Sequence, residues 1–536
     1  MASAPQRPSP FLLPFAAMST QAQPRRSSFV LTALAGALIV TSCKVGPDYE
    51  EPVLEEGVVE ESFAASNDPA FKPGEADLSE WWSVFNDPVL TSIIERAEAG
   101  NKDLKVALAR VEEARTRVEF AKGARFPALS LGGGAAVSSN QFTGFKSETV
   151  SSLKAEAAWE LDVFGRIARQ IESDQASFEA SEEDLRDVRV TLLAEVARSY
   201  ISVRALQMQL KSAEENLASQ KTILELTRSR AANGISSDLD LKRSESLYAA
   251  SEAALPPLRV SLTQAINTLG VLIGKNPTAL QEELRAPAPI PVPPGEVTVG
   301  VPADLLRQRP DIRGAERRLA AQTARVGVAT ADLYPTFGIG GTLGIGNRAG
   351  GSLLGAGNTA YTVGPGFTNW TIFSGGRIRN LIKAEDIRVE QALLRYESTV
   401  LNALLEVETA LASFTQQGSR VDALARATAA SNEALNLATG LYEQGLIDYE
   451  QLLNVQRDLL TQDIELFNAR GEAASALVLL YRSMGGGWSP DEVEAEPEAE
   501  EEPPTEEEPA EGDESSTPAP AAPSQGTEGD ADADKG

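Results

Sequence analysis

The first half of this chain returns in its second half about 210 residues later. Adding 211 carries Gly234 onto Gly445 and Leu269 onto Leu480. The same shift relates further pairs of identical residues: Trp159 and Trp370, Gly165 and Gly376, Arg166 and Arg377, Ile167 and Ile378, Glu195 and Glu406, Val196 and Val407, Leu241 and Leu452, Gly274 and Gly485. Nearer the N-terminus the shift is 208, and the change falls in Gly/Ser-rich stretches, where insertions are tolerated. A period this long predicts two copies of one structural unit rather than a solenoid of short repeats.

The composition excludes several classes of function. The 536 residues include no His and one Cys, and the net charge is −29. The chain therefore lacks imidazole bases and the commonest metal ligand, and it can form neither an internal disulfide nor a cysteine zinc site. Its many carboxylates form no recognisable catalytic frame, and its negative charge argues against nucleic-acid partners. We expect no enzymatic activity, no metal and no cofactor other than a covalent lipid.

The first 42 residues predict a secretory signal peptide. Arg25 and Arg26 precede a short apolar run at 29–40, which is too short to span a bilayer, since a spanning helix needs about 20 residues. The letters VTSC, ending at Cys43, resemble the bacterial lipobox, which implies cleavage before Cys43 and lipidation of its thiol. Lys44, in place of an Asp, favours delivery to the outer membrane. The alternative is an ordinary signal peptide followed by a buried Cys.

The segment at 149–163 alternates between apolar and polar residues. Its apolar positions include Leu153 and Trp159, and its polar positions include Lys154 and Glu156. A period of two over about ten residues is typical of a transmembrane barrel strand, although half-buried soluble strands look similar. We predict a hairpin from 129–137 and 149–163, and a second, less regular hairpin from 335–347 and 359–373.

The segment from Arg166 to Ala232 contains no Pro, and its apolar residues recur at heptad spacing. As one helix it would be about 100 Å long, too long for a compact domain. Asn233 and Gly234 should turn the chain into a return helix. The helices predicted in the two copies are 88–124, 166–232 and 238–273, then 303–333, 377–444 and 449–484. Asp87 is the predicted N-cap of the first.

These elements divide the chain into six parts. The predicted parts are a signal peptide (1–42), an extended lipid-anchored segment (43–80), the first repeat (81–279), a Pro-rich connector (280–300), the second repeat (301–488) and an acidic tail (489–536). Residues 491–536 contain 18 acidic residues, one Lys and no aromatic residue. Such a composition buries too little apolar surface to fold, so we predict that the tail is disordered.

Several motifs, in their order along the chain, resemble the outer-membrane efflux protein family. The matching residues are Cys43 with Gly46-Pro47-Asp48-Tyr49, Trp81-Trp82, Asp87-Pro88, Arg309-Pro310-Asp311-Ile312, Tyr334-Pro335, Gly375-Gly376-Arg377, Leu452-Leu453 and Gln456-Arg457. The resemblance covers about residues 29 to 488 and is strongest to the TolC/OprM-like channels of the lipid-anchored NodT-type subgroup.

The resemblance implies an α+β membrane protein, in which a long coiled-coil helical barrel joins a transmembrane β-barrel. Each protomer would contribute four strands, and a homotrimer would close a 12-stranded barrel. The physical reason is that an open sheet edge cannot face hydrocarbon, whereas twelve strands can close. The implied function is passive export of small molecules through the outer membrane. An inner-membrane RND-type transporter would supply them through a periplasmic adaptor, a membrane fusion protein.

The same resemblance suggests two functional regions in the periplasm. Adaptor contacts are expected at the two helix turns, around these residues: Arg230, Gly234, Ser237, Leu441, Gly445 and Asp448. A periplasmic gate is expected on one face of the last helix, formed by these residues: Glu450, Asn454, Arg457 and Asp458. Asn454 stands where the family has an Asp, so we predict that Glu450 and Arg457 carry the closure. Ordinary helix capping and a solvated helix face are the alternatives.

Two other functions remain open at this point. The channel could serve a type I protein secretion system, which the sequence does not distinguish from an efflux pump. A lipid-anchored coiled-coil scaffold without a pore would need both hairpins to be edges of a soluble sheet.

Overall fold

A computed structural model describes residues 44–489 except for 55–56, 58, 60–61, 65–67, 75–77, 140–146, 304–307 and 349–358. Cys43, the predicted signal peptide and all of the acidic tail beyond residue 489 lie outside the described residues.

The two halves of the chain contain the same series of elements. The first half holds α1 (Pro88–Gly100), α2 (Lys102–Gly123), β2 (Ala128–Ser138), β3 (Glu148–Leu161), α3 (Arg166–Ala232) and α4 (Asp238–Leu272). The second half holds α5 (Pro310–Ala331), β5 (Thr336–Arg348), β6 (Thr359–Asn369), α6 (Arg377–Glu443) and α7 (Tyr449–Ser483). Two short strands, β1 (Phe71–Pro73) and β4 (Val297–Val299), lie outside these series. The helices α3 and α6 each have 67 residues, and α4 and α7 each have 35.

The four long strands form one antiparallel sheet in the order β2-β3-β5-β6. One row across the sheet is apolar: Leu131, Ala155, Leu343 and Tyr361. The adjoining row is polar: Ser130, Glu156, Thr342 and Thr362. Successive residues of a strand point to opposite faces, so the alternation predicted for β3 extends over all four strands.

The second hairpin departs from the first in its register. Gly133 of β2 pairs with Leu153, whereas its counterpart Gly341 pairs with Val363, because a bulge at Thr336 shifts the pairing by one residue. The strand β6 also ends at Asn369, so the prediction that it extends to residue 373 is wrong.

The long helix α3 supplies much of the hydrophobic core. It contacts α2, α4, α5 and α7, while α6 contacts α5 and α7. The heptad residues Leu192, Val196 and Val203 are buried, as predicted for a helix-packing seam.

The predicted helix 88–124 is two helices, which meet at Gly100 and Asn101. The Asn101 side chain accepts hydrogen bonds from the backbone amides of Asp103 and Leu104 and so caps α2. Its amide also donates to the carbonyl of Leu272 at 2.8 Å. The break is therefore fixed by the end of α4, far away in the sequence. Asp87 caps α1 as predicted.

The segments predicted to be extended or irregular contain a small sheet. The strands β1 and β4 pair in parallel, with Phe71 opposite Val297. Phe71, Val297 and Val299 are buried in the main core. The N-terminal segment and the connector between the two halves are thus held together.

None of the helices within the described residues has an apolar stretch long enough to cross a membrane.

Candidate functional site

The two helix turns far from the sheet are built by glycine and capping residues. Gly234 ends α3 with a φ of 70°, and Gly445 follows α6 with a φ of 76°. Both values lie in the left-handed region that favours glycine. Ser237 forms a capping box with Asp240 at the start of α4, and the Asp448 carboxylate caps α7. The four predicted tip residues in these turns therefore have a capping role.

Arg230 joins the turn of the first half to that of the second. Its guanidinium donates to the carbonyl oxygens of Tyr442 at 2.5 Å and Glu443 at 3.3 Å. It also lies 4.9 Å from the centre of the Tyr442 ring. A cation that donates to the last carbonyls of α6 complements the negative end of the helix dipole. Arg230, predicted as an adaptor contact, thus binds within the protomer.

Each turn also exposes an apolar side chain that the sequence analysis did not single out. Ile235 and Leu446, which are repeat equivalents, are 66% and 67% exposed. Leu441, a predicted contact, is 39% exposed. The sequence does contain a signal for these two residues, since an apolar residue directly follows the turn glycine in both copies. These side chains form a candidate surface for an apolar partner.

The predicted gate residues lie on α7 just beyond the second turn. Glu450 forms an ion pair with Arg243 of α4, with 3.1 Å between Nη1 and Oε2. Asn454, Arg457 and Asp458 are exposed. The structure therefore gives Glu450 a partner on another helix, which the sequence analysis had not identified.

The neighbouring turn of α7 is anchored in a small apolar cluster. Tyr449 is 2% exposed, and burial raises the pKa of its hydroxyl. Its ring meets that of Tyr442 at a centroid distance of 6.0 Å. The start of α7 is thus packed against the end of α6, beside Arg230.

The residues that directly follow Cys43 form a strap across α3 and α5. The amide of Val45 donates to the carbonyl of Phe164 at 3.3 Å. The Tyr49 hydroxyl donates to Glu316 at 2.7 Å, and Arg317 lies 5.5 Å from the centre of the Tyr49 ring. Burial and the bond to Glu316 raise the pKa of Tyr49, so the hydroxyl stays protonated as a donor.

The buried side chain of Arg169, on α3, binds the strap. This side chain is 1% exposed and donates to Asp48 at 2.7 Å and to the Val45 carbonyl at 3.1 Å. Gly46 lies so close to α5 that an added Cβ would stand 2.4 Å from the Cα of Gly327. The strap is therefore fixed directly after the predicted lipidation site.

No group of three or more acidic or Cys side chains that could hold a metal ion occurs within the described part of residues 44–489.

The comparison with protein families decides what this architecture is. The model of the outer membrane efflux protein family matches residues 93–275 and again 301–486. The chain belongs to the outer membrane efflux protein family. The two matches coincide with the two series of helices and strands.

Individual relatives are similar in sequence to this efflux protein over nearly their whole length. Nodulation protein T of Rhizobium leguminosarum bv. trifolii is 31% identical, with 85% of this chain and 96% of that protein covered. Outer membrane protein OprJ of Pseudomonas aeruginosa is also 31% identical, with coverages of 87% and 97%. The solved outer-membrane channel OprN is 35% identical, with a TM-score of 0.76, and 83% of this chain covers all of that one. The chain is thus an outer-membrane efflux channel that extends into the periplasm.

Substituting Arg169 by Met should loosen the strap of this channel without unfolding it. Asp48, Glu172 and the carbonyls of Val45 and Gly46 would lose this donor, at a cost of about 2 kcal/mol, because both carboxylates remain solvated. Amide hydrogen exchange at Val45, whose N–H donates to the Phe164 carbonyl, should accelerate about thirtyfold. Lys44→Met, which removes only an exposed pair with Glu172, is the control and should change exchange less than about fivefold. Unchanged strap exchange in Arg169→Met would contradict this role.

Proposed function

We propose that this chain is the passive exit duct of a tripartite efflux pump. It would conduct small molecules from the periplasm across the outer membrane. The observation that carries the proposal is the sheet with one apolar and one polar face, joined directly to helices of 67 residues. An apolar face suits lipid and a polar face suits a water-filled lumen. Helices of this length reach about 100 Å into the periplasm.

A single protomer leaves this sheet open, since β2 and β6 each pair on one side only in the described residues. Unpaired backbone groups at a sheet edge are too costly in hydrocarbon. We infer that β6 of one protomer pairs with β2 of the next, so that three protomers close 12 strands. The two halves of each chain then act as a two-fold structural repeat, which gives six similar units around the pore.

The internal repeat predicts the register of this closure. Gly133 and Gly341 are equivalent, and the bulge at Thr336 places Val363, rather than the sequence equivalent Gly364, in the position that Leu153 occupies in the first hairpin. Leu153 pairs with Ile345 across the β3–β5 junction, and Ile345 corresponds to residue 137. Val363 of one protomer should therefore face Val137 of the next.

Disulfide crosslinking can test this pairing in the full-length chain. The variant Val137→Cys with Val363→Cys should give covalent trimers on mild oxidation, because paired strands bring Cα atoms within disulfide range. Within one chain the two sites are three strand spacings apart, about 14 Å, so a crosslink cannot form there. Val137→Cys with Gly364→Cys is the control, since residue 364 points to the opposite face. Only monomers from the first variant, or equal crosslinking in both, would contradict the closure.

The two ends of the molecule offer sites for the lipid anchor and for the pump partners. A lipid on Cys43 would hold the strap beside the start of α3, where the sheet meets the helices. The exposed Ile235, Leu441 and Leu446 would receive the periplasmic adaptor, which links the duct to an inner-membrane RND-type transporter. Arg230 would position the two turns for this contact.

The ion pair of Glu450 with Arg243 is the proposed core of the periplasmic gate. It ties α7 to α4 near the turns, where the duct would be narrowest. Asn454, Arg457 and Asp458 lie exposed on the same helix and would face the neighbouring protomers. Opening would then require that a solvent-accessible ion pair separates.

The alternatives from the sequence differ from this proposal in their partners or in the pore. A type I protein secretion channel would share the same duct and would be fed by a different transporter. A scaffold without a pore would need the apolar face of the sheet to pack against protein, and the crosslinked trimer would exclude it.

A further inference from the structure

The two halves of the chain differ in their summed charge over four equivalent positions near the sheet end of the helices. The second half carries four cations, which we call the arginine groove: Arg318, Arg325, Arg388 and Arg395. Their equivalents in the first half are Arg110, Arg117, Ser177 and Asp184. The net charge of these positions is therefore four in the second half and one in the first, in a chain whose overall charge is −29.

The four arginines line one cavity between α5 and α6. The cavity measures about 790 Å³, within the range of roughly 300–1,000 Å³ that is usual for ligand sites. Arg318 and Arg325 are seven residues apart on α5, and Arg388 and Arg395 are seven apart on α6. Residues at this spacing lie on one face of a helix. Two parallel pairs of guanidinium groups thus face a shared space.

Only two of these four charges are neutralised within the protomer. Arg318 pairs with Asp184, and Arg388 pairs with Glu385. Arg325 donates only to neutral oxygens, those of Ser173 at 3.3 Å and Gln322 at 3.5 Å. Among the described residues, no carboxylate lies within 4.0 Å of the Arg325 or Arg395 guanidinium.

The strap shows which side of the helix layer the groove occupies. On α5 the strap meets Glu316, Arg317 and Gly327. At about 100° per residue, Arg318 and Arg325 point about 150° away from that face. A strap tied to a lipid in the surrounding membrane cannot thread through the lumen, so it lies outside. The groove therefore faces the lumen, an inference that rests on the proposed lipid-anchored duct.

We propose that the arginine groove binds anionic solutes that carry several phosphate, sulfate or carboxylate groups on their way through the duct. Guanidinium groups bind such oxygens in pairs of parallel hydrogen bonds, and they keep their charge at any physiological pH. Three protomers would place twelve arginines around the lumen, just inside the outer membrane. The groove would attract anionic solutes and raise their local concentration, although the rest of the protein is negatively charged.

Calorimetric titration of the full-length trimer in detergent with tripolyphosphate tests the site. Wild-type protein should bind it, and binding should weaken as salt is raised. Arg325→Gln with Arg395→Gln should weaken binding at least about tenfold, because it removes both uncompensated charges. The control, Arg110→Gln with Arg117→Gln, makes the same change in charge at the first-half equivalents of Arg318 and Arg325 and should leave binding unchanged.

Single-channel recording of the same preparations separates this proposal from the duct itself. Tripolyphosphate should reduce the current of the wild type and of the control, but not of Arg325→Gln with Arg395→Gln. Two results would overturn the groove proposal alone: a trimer that conducts without binding tripolyphosphate, or tripolyphosphate binding that both double variants weaken equally. Binding without any current would overturn the proposed duct.

Discussion

Replacing Gly274 by Ala should leave most of the protein molecules unfolded. Gly274 has a φ of 68°, and an added Cβ would stand 2.1 Å from the carbonyl oxygen of Gly100. The obstacle is backbone, and Asn101 fixes it there by its bond to the Leu272 carbonyl. We expect the free energy of unfolding to fall by at least about 4 kcal/mol, because backbone strain adds to a clash that neither chain segment can relieve. The measurement is the yield and thermal unfolding of trimer in detergent.

Gly234→Ala provides a matched control for this result. Gly234 has nearly the same φ of 70°, but no atom lies within 4 Å of the position of its added Cβ. The substitution should therefore cost only the conformational strain of about 1 kcal/mol. Equal losses in the two variants would show that conformation alone decides both sites, and that the contact between Gly100 and Gly274 is not rigid.

Removing the ion pair of Arg243 and Glu450 should open the resting channel. The pair is largely exposed, so its loss should cost about 1 kcal/mol and leave the fold intact. If the pair favours the closed state, that energy would raise the open fraction about fivefold. Closed-state conductance in planar bilayers should rise accordingly in Arg243→Ala with Glu450→Ala.

Two further variants identify which cation matters at this gate. The exchange Arg243→Glu with Glu450→Arg keeps an ion pair and should restore low conductance. Arg457→Ala with Glu450→Ala tests whether Arg457 also contributes, as the sequence led us to expect. Closed-state conductance that stays at the wild-type level in both alanine pairs would contradict a gate at these residues.

The sequence predicts the long elements of this fold accurately and the short ones poorly. The helix α3 was predicted at 166–232 and lies at Arg166–Ala232, because its heptad seam is long and a glycine follows it. The helix break at Asn101 was missed, because it depends on the end of α4 about 170 residues later. The pairing of β1 with β4 was missed as well, since strands of three residues leave no periodic pattern.

The candidate site shows the same limit. Turn glycines and caps are local signals, so Gly234, Ser237, Gly445 and Asp448 could be placed from the sequence. The partners of Arg230 and Glu450 lie on helices more than 200 residues away, and no local pattern identifies them. The sequence shows that Arg388 and Arg395 stand where the first half has Ser177 and Asp184, but only the cavity in the structure brings these arginines together with Arg318 and Arg325.

Three copies of this chain should enclose a water-filled duct, and single-channel recording shows whether they do. Purified full-length protein in a planar bilayer should give discrete, long-lived current steps. The steps should be carried by the heat-modifiable trimer and be absent from heat-dissociated monomer. A folded trimer that inserts into the bilayer and carries no current, also after removal of the Arg243–Glu450 pair, would show that the three copies enclose no duct.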